Sequence, residues 1–314
     1  MGLFIEIVKV IFPTFFLIGL GFLAGKYNIM SKNFVDEGNR LVFNIFMPLY
    51  MLTSIVNSKS LKNINFYVLL YVILFYICVF VTAMFLLNRT RRTRGVKATM
   101  LQGIVRPNML LLGIALATNY YGKNIDISPL VLLIGFLGPI TNIFAVLGFE
   151  IYASVGKIKL SKIVINIIKN PLILGAIFGL IINICKIPIS PIILEPLTDL
   201  GALTTPLGLM FIGAGLVLKK DKTMLKNVYL TCLGRNLLIP IFGIFIAVFL
   251  GFRGMDLFAI VISMSAPAAV SSYVLAVNYT GESQLASRII MYTTIFSVFT
   301  LTVELYLLTL KNLL

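Results

Sequence analysis

Long apolar runs alternate with short polar, mostly basic breaks along the whole chain. A window of about 20 residues, the length that crosses a roughly 30 Å hydrocarbon core, finds ten runs. They lie near 5–25, 38–57, 66–87, 97–121, 130–153, 164–185, 197–218, 226–250, 256–279 and 287–310. The pattern predicts an all-α integral membrane protein with ten transmembrane helices.

The polar breaks set an orientation. Odd-numbered loops hold Lys26, Lys32 and Arg40, then "RTRRTRGVK" at 89–97, then Lys157, Lys159, Lys162 and Lys169, then "KKDKTMLK" at 219–226, and finally Arg288. Even-numbered loops and the termini hold only Lys9, Lys59, Lys62, Lys123, Lys186, Arg253 and Lys311. By the positive-inside rule the odd loops are cytoplasmic. The expectation is a multi-pass protein of the plasma (inner) membrane with both termini extracytoplasmic.

An internal repeat is legible at an offset near half the length. Shifting by 158 places Pro13 on Pro171, Gly21 on Gly179 and the "PL" at Pro48 on the "PL" at Pro206. Shifting by 159 places "LATNYYG" (116–122) on "LAVNYTG" (275–281), and one residue of slippage aligns Pro107 with Pro267. Each half, 1–156 and 157–314, holds five spans. Because five is odd, the second half is expected to lie inverted relative to the first, as in many secondary transporters.

In such folds a pair of interrupted spans at matching positions points to the binding site. Spans four and nine are that pair. Pro107 follows the start of its span by about ten residues, about 15 Å at 1.5 Å per residue, which is close to the midplane. Each proline frees the carbonyl four residues back, Gly103 or Ser263, and opens a half-helix. The first turns would present N–H groups of Asn108, Met109 and Leu110 or of Ala268, Ala269 and Val270, and both dipoles favour an anion there. Arg106 adds a full positive charge and Asn108 an orientable amide. The expected substrate site is Arg106, Pro107, Asn108, Met109, Pro267, Ala268 and Ala269, for a small carboxylate. The freed carbonyls of Gly103 and Ser263, with the hydroxyls of Ser263, Ser265, Ser271 and Ser272, could hold a cation. Arg106 could instead pair with Glu304 or Glu150.

Composition sharpens this picture. Apolar residues make up 59% of the 314, mean hydropathy is +1.03, and charged residues are 12%, against about a quarter in soluble domains. The net charge of +15 is read as topogenic rather than as a nucleic-acid footprint, with lipid-headgroup contact a second role for the 89–97 loop. No histidine is present, so an imidazole switch or imidazole metal site is excluded. Cys78, Cys185 and Cys232 read as small hydrophobes. Glu6, Lys9 and the lack of a basic n-region mark the first run as a retained span rather than a signal peptide. Arg235 is expected to snorkel or pair near the cytoplasmic end of span eight, and Glu195 and Asp199 to be solvated. HExxH, GxSxG, phosphate-loop and paired-aspartate motifs are absent, which argues against an enzyme.

"RPNMLLLGIALA" at 106–117, "NPLILGAIFGLI" at 170–181, "LGLMFIGAGL" at 207–216 and "APAAVSSYVLAVNY" at 266–279 carry a resemblance. The chain resembles the auxin efflux carrier family, which includes PIN-type auxin exporters and bacterial malate-permease-like proteins. The resemblance implies crossed, broken fourth and ninth helices and a homodimer. It also implies a scaffold of spans 1, 2, 6 and 7 beside a moving transport domain of spans 3–5 and 8–10. By position Pro107 and Pro267 match the crossover prolines and Asn108 the substrate-contacting asparagine, whereas Arg106 departs from the family pattern. The expected function is secondary transport of small organic anions, malate-like dicarboxylates or auxin-like monocarboxylates, by alternating access. An anion channel or a non-transporting sensor is the alternative. No cofactor is expected beyond a coupling Na+ or H+, the latter through Glu304 or Glu150.

Overall fold

The protein is described by a computed structural model covering residues 2–57, 65–122, 127–153, 171–216, 224–269 and 272–314. Those residues are helical apart from short turns and a single isolated backbone bridge. Among the described residues six helical stretches are long and apolar enough to cross a membrane: Phe4–Lys26, Lys32–Val56, Phe66–Asn88, Pro191–Ala214, Leu225–Phe249 and Ser283–Leu310. The fourth and ninth runs are missing from that set because each is divided into two short helices. The fifth run is the 26-residue helix Ser128–Ala153; of the sixth, residues 164–170 lie outside the described residues and the rest is the helix Pro171–Ile184.

In chain order the helices are α1 (Gly2–Lys26), α2 (Lys32–Leu41), α3 (Met47–Val56), α4 (Phe66–Asn88), α5 (Arg94–Val105), α6 (Met109–Tyr121), α7 (Ser128–Ala153) and α8 (Pro171–Ile184). There follow α9 (Pro191–Ala202), α10 (Thr204–Ala214), α11 (Leu225–Cys232), α12 (Ile239–Phe249), α13 (Gly254–Ser265), α14 (Ser272–Thr280) and α15 (Ser283–Leu310). Two π-helical segments, Val42–Phe46 and Leu233–Leu238, join α2 to α3 and α11 to α12 within otherwise continuous helices. Such segments rotate the side chains that follow and recur at functional sites.

Starts are written in local chemistry. The Ser31 hydroxyl accepts from Phe34 N–H, the Asn65 carboxamide from Tyr67 N–H, and the Thr93 hydroxyl from Val96 N–H, each meeting an orphan donor of a first turn. Asn65 also donates to Asp256 Oδ2 at 2.7 Å, tying the start of α4 to the first turn of α13.

The exterior is apolar, with Phe245 at 70% and Phe249 at 82% exposed, while polar side chains such as Thr99, Gln102, Arg235, Asn236, Ser263 and Thr293 are buried. That inversion suits lipid rather than water as the surrounding medium. Without a hydrophobic drive between helices in lipid, close packing depends on small residues. Gly21, Gly25 and Gly213 bring α1 onto the backbone of α10, and Gly175 and Gly179 bring α8 onto α3. Among the described residues these are the two most extensive helix pairs.

Candidate functional site

Arg106 and Ala266 each precede a proline, and the proline ring excludes the helical conformation for such a residue. Both are extended, Arg106 at φ −114°, ψ 90° and Ala266 at φ −59°, ψ 141°. α5 therefore stops at Val105 and α13 at Ser265, and the two extended breaks cross. Pro107 faces Ala268 in an antiparallel bridge. Asn108 N–H donates to Pro267 O at 2.7 Å and Ala269 N–H to Arg106 O at 3.0 Å. The proline occupies the position in this pair that gives no ladder N–H, so its missing donor costs the bridge nothing. The repeat alignment matches Pro107 with Pro267, whereas the backbone pairing matches it with Ala268, one residue further on.

This pairing engages three of the expected donors. The amides of Asn108 and Ala269 are used by the bridge, and Ala268 N–H donates to Thr293 Oγ1 at 3.2 Å. Met109 and Leu110 stand in the first turn of α6, where backbone N–H groups have no intrahelical acceptor. Thr293 is itself held by Asn236, whose Nδ2 donates to Thr293 O at 3.0 Å.

Part of the expected cation site is already engaged by protein groups. Arg235 does not snorkel: it is fully buried in the second π segment and reaches the crossover. Its Nε donates to Ala266 O at 2.7 Å, its Nη2 to Ser263 O at 3.0 Å, and its Nη1 to Ile104 O at 3.1 Å and the Tyr76 hydroxyl at 2.9 Å. Tyr76 in turn donates to Ser263 O at 2.6 Å. The carbonyl freed by Pro267 is thus doubly satisfied, and the Ser263 hydroxyl is spent on Ala259 O at 2.8 Å. Gly103 serves close packing, since a Cβ there would meet Ile289 at 2.7 Å and Thr231 at 3.0 Å.

Arg106 is treated differently. Its Nη1 is buried and has no hydrogen-bond partner among the described residues, so the expected pair with Glu304 is not made. The side chain of Glu150 lies outside the described residues, as do Val270 and Ser271. Glu304 instead lies beside Ser265 and within the field of Arg235. The Ser272 hydroxyl and Gln102 Oε1 are buried without hydrogen-bond partners among the described residues. Asn108 and Arg106 are partly exposed, and Met109, Pro267, Ala268 and Ala269 are buried.

Sequence reasoning put Arg235 near the cytoplasmic end of span eight rather than at the crossover, and did not single out Tyr76, Thr293 or Asn236. An arginine inside an apolar span was the available signal for the first, because ionisable residues there are functional by default. Among the described residues no group of His, Cys, Asp and Glu could hold a metal ion. The three cysteines are free, Cys232 buried and Cys78 and Cys185 exposed. Glu195 and Asp199 are exposed.

The chain matches the family described as membrane transport protein over residues 6–158 and 156–305. No curated protein matches it.

Proposed function

The chain belongs to the membrane transport protein family, the family of the auxin efflux carriers, and from that premise we propose that it is a secondary transporter of small organic anions working by alternating access. The observation that carries the reading is Arg106: a guanidinium whose buried Nη1 has no partner among the described residues, at the start of α6, where two broken helices cross. A carboxylate there would receive a charge-assisted bond from Arg106, the Met109 and Leu110 amides and the positive end of the α6 dipole. Asn108, partly exposed beside them, orients it.

The charges fit one carboxylate better than two. Arg235 has Glu304 within its field, whereas Arg106 Nη1 has no partner among the described residues. The ten-span reading, with two inverted five-helix repeats, is part of this proposal. It is supported by the packing of span one on span seven (α1 on α10) and of span two on span six (α3 on α8), which are equivalent pairs in an inverted repeat. Those four spans form the scaffold, and the crossover helices with spans three, five, eight and ten move against it. A homodimer in the plasma membrane, with extracytoplasmic termini, completes the reading.

Purified protein in liposomes is expected to take up a labelled monocarboxylate with saturable, trans-stimulated kinetics. Asn108→Ala and Arg106→Gln are expected to abolish that uptake without loss of folded protein. Wild-type flux from either variant would remove the crossover as the site, and current independent of solute on the far side would make the protein a channel.

A further inference from the structure

The carbonyls of broken membrane helices are the usual ligands for a coupling cation. Here they already have one. The oxygens of Ile104, Ser263 and Ala266 belong to the last turns of α5 and α13, where the helix dipoles leave partial negative charge. All three accept from the single planar guanidinium of Arg235. Tyr76 braces the plane from the side, accepting from Nη1 and donating to Ser263 O, with its ring 5.9 Å from the guanidinium carbon. Four directed bonds in the fork geometry of arginine leave no room for a second positive charge on the same oxygens.

We infer that the Arg235 guanidinium is a tethered cation filling the carbonyl cradle of the crossover, and that removing it uncovers a binding site for a free guanidinium-type cation. The consequence for transport is that sodium has no role in this cradle. That consequence rests on reading the crossover as the transport centre; the cradle itself is tested without any solute, so either can fail alone.

The experiment is thermal melting of the purified protein at constant ionic strength. The wild type is expected to melt at the same temperature in sodium chloride and choline chloride; a sodium-specific rise overturns the inference. Arg235→Ala is expected to melt several degrees lower and to recover part of that shift in millimolar methylguanidinium but not in choline. Equal response to the two cations overturns it. Arg235→Lys, which keeps the charge but not the planar fork, serves if the alanine variant does not fold: melting below the wild type is expected, and wild-type melting overturns the inference.

Discussion

Asn108 and Pro267 are joined across the crossing of the two broken segments, amide to carbonyl at 2.7 Å, and Ala269 returns the bond to Arg106 at 3.0 Å. The two bonds flank a pair, Pro107 and Ala268, that exchanges none of its own. Ala269→Pro removes one donor and strands the Arg106 carbonyl, at a cost of about 1–3 kcal/mol for a buried polar group left unpaired. Pro107→Ala keeps both bonds and changes stability by only about 0.5–1 kcal/mol. Thermal melting of the two variants should therefore separate them, with the alanine variant near the wild type. Equal melting would mean that the bridge does not hold the crossing together.

Arg106 and Arg235 sit in the same crossover and should respond oppositely to neutralisation. Four bonds to the Arg235 guanidinium, at about 1.5–3 kcal/mol each for a charged donor, exceed the roughly 2.5–3.5 kcal/mol that insertion experiments assign to a mid-membrane arginine. Arg106 Nη1 has no such return among the described residues. Arg106→Gln should leave the melting temperature unchanged or raise it, and should remove the rise that a monocarboxylate produces in the wild type. Arg235→Gln should lower melting with or without solute. A fall of similar size in both variants would make Arg106 a structural residue.

Which parts of this were legible from residues alone follows from how local each cause is. The breaks at 106–108 and 266–269 were readable because proline acts on its immediate neighbours, through its ring and its missing N–H. The apolar runs were readable because lipid imposes one length on every span. The destination of the freed carbonyls was not, because Arg235 lies 31 residues from Ala266 and 131 from Ile104. Its reach also depends on a π segment that no propensity marks. The one-residue offset between the repeat alignment and the Pro107–Ala268 pairing has the same origin: alignment compares residue types, and an antiparallel bridge compares backbone positions. The amides of Asn108 and Ala269 looked free for the same reason.

Glycines of α1 and α10 divide into those that touch the other helix's backbone and those that do not. A Cβ on Gly213 would overlap Ile18 O and one on Gly21 would overlap Met210 O, whereas one on Gly19 meets nothing within 4 Å. Gly213→Ala must push α10 off α1 along one of the two principal helix contacts, giving the overpacking cost of about 1–3 kcal/mol or more. Gly19→Ala should be neutral or slightly stabilising, since alanine favours helix over glycine by about 1 kcal/mol. Melting of the two variants, measured side by side, should show a clear drop for the first alone. Equal effects would place the α1–α10 contact elsewhere.

Cys185 tests the orientation without any engineered residue. It follows the last turn of α8, is exposed, and adjoins Lys186, whose φ of +50° ends the helix in a sharp turn. Cys232 is buried, and Cys78 lies in the middle of α4, amid an apolar face that lipid covers. A thiol reacts through its thiolate, which forms in water and not in hydrocarbon. A membrane-impermeant maleimide should therefore label one cysteine, and Cys185→Ser should abolish the label. With the odd-numbered loops in the cytoplasm, the turn between α8 and α9 faces outward, so intact cells should label as fully as permeabilised ones. Labelling that requires permeabilisation would invert the whole arrangement, placing the basic loops at 89–97 and 219–226 outside.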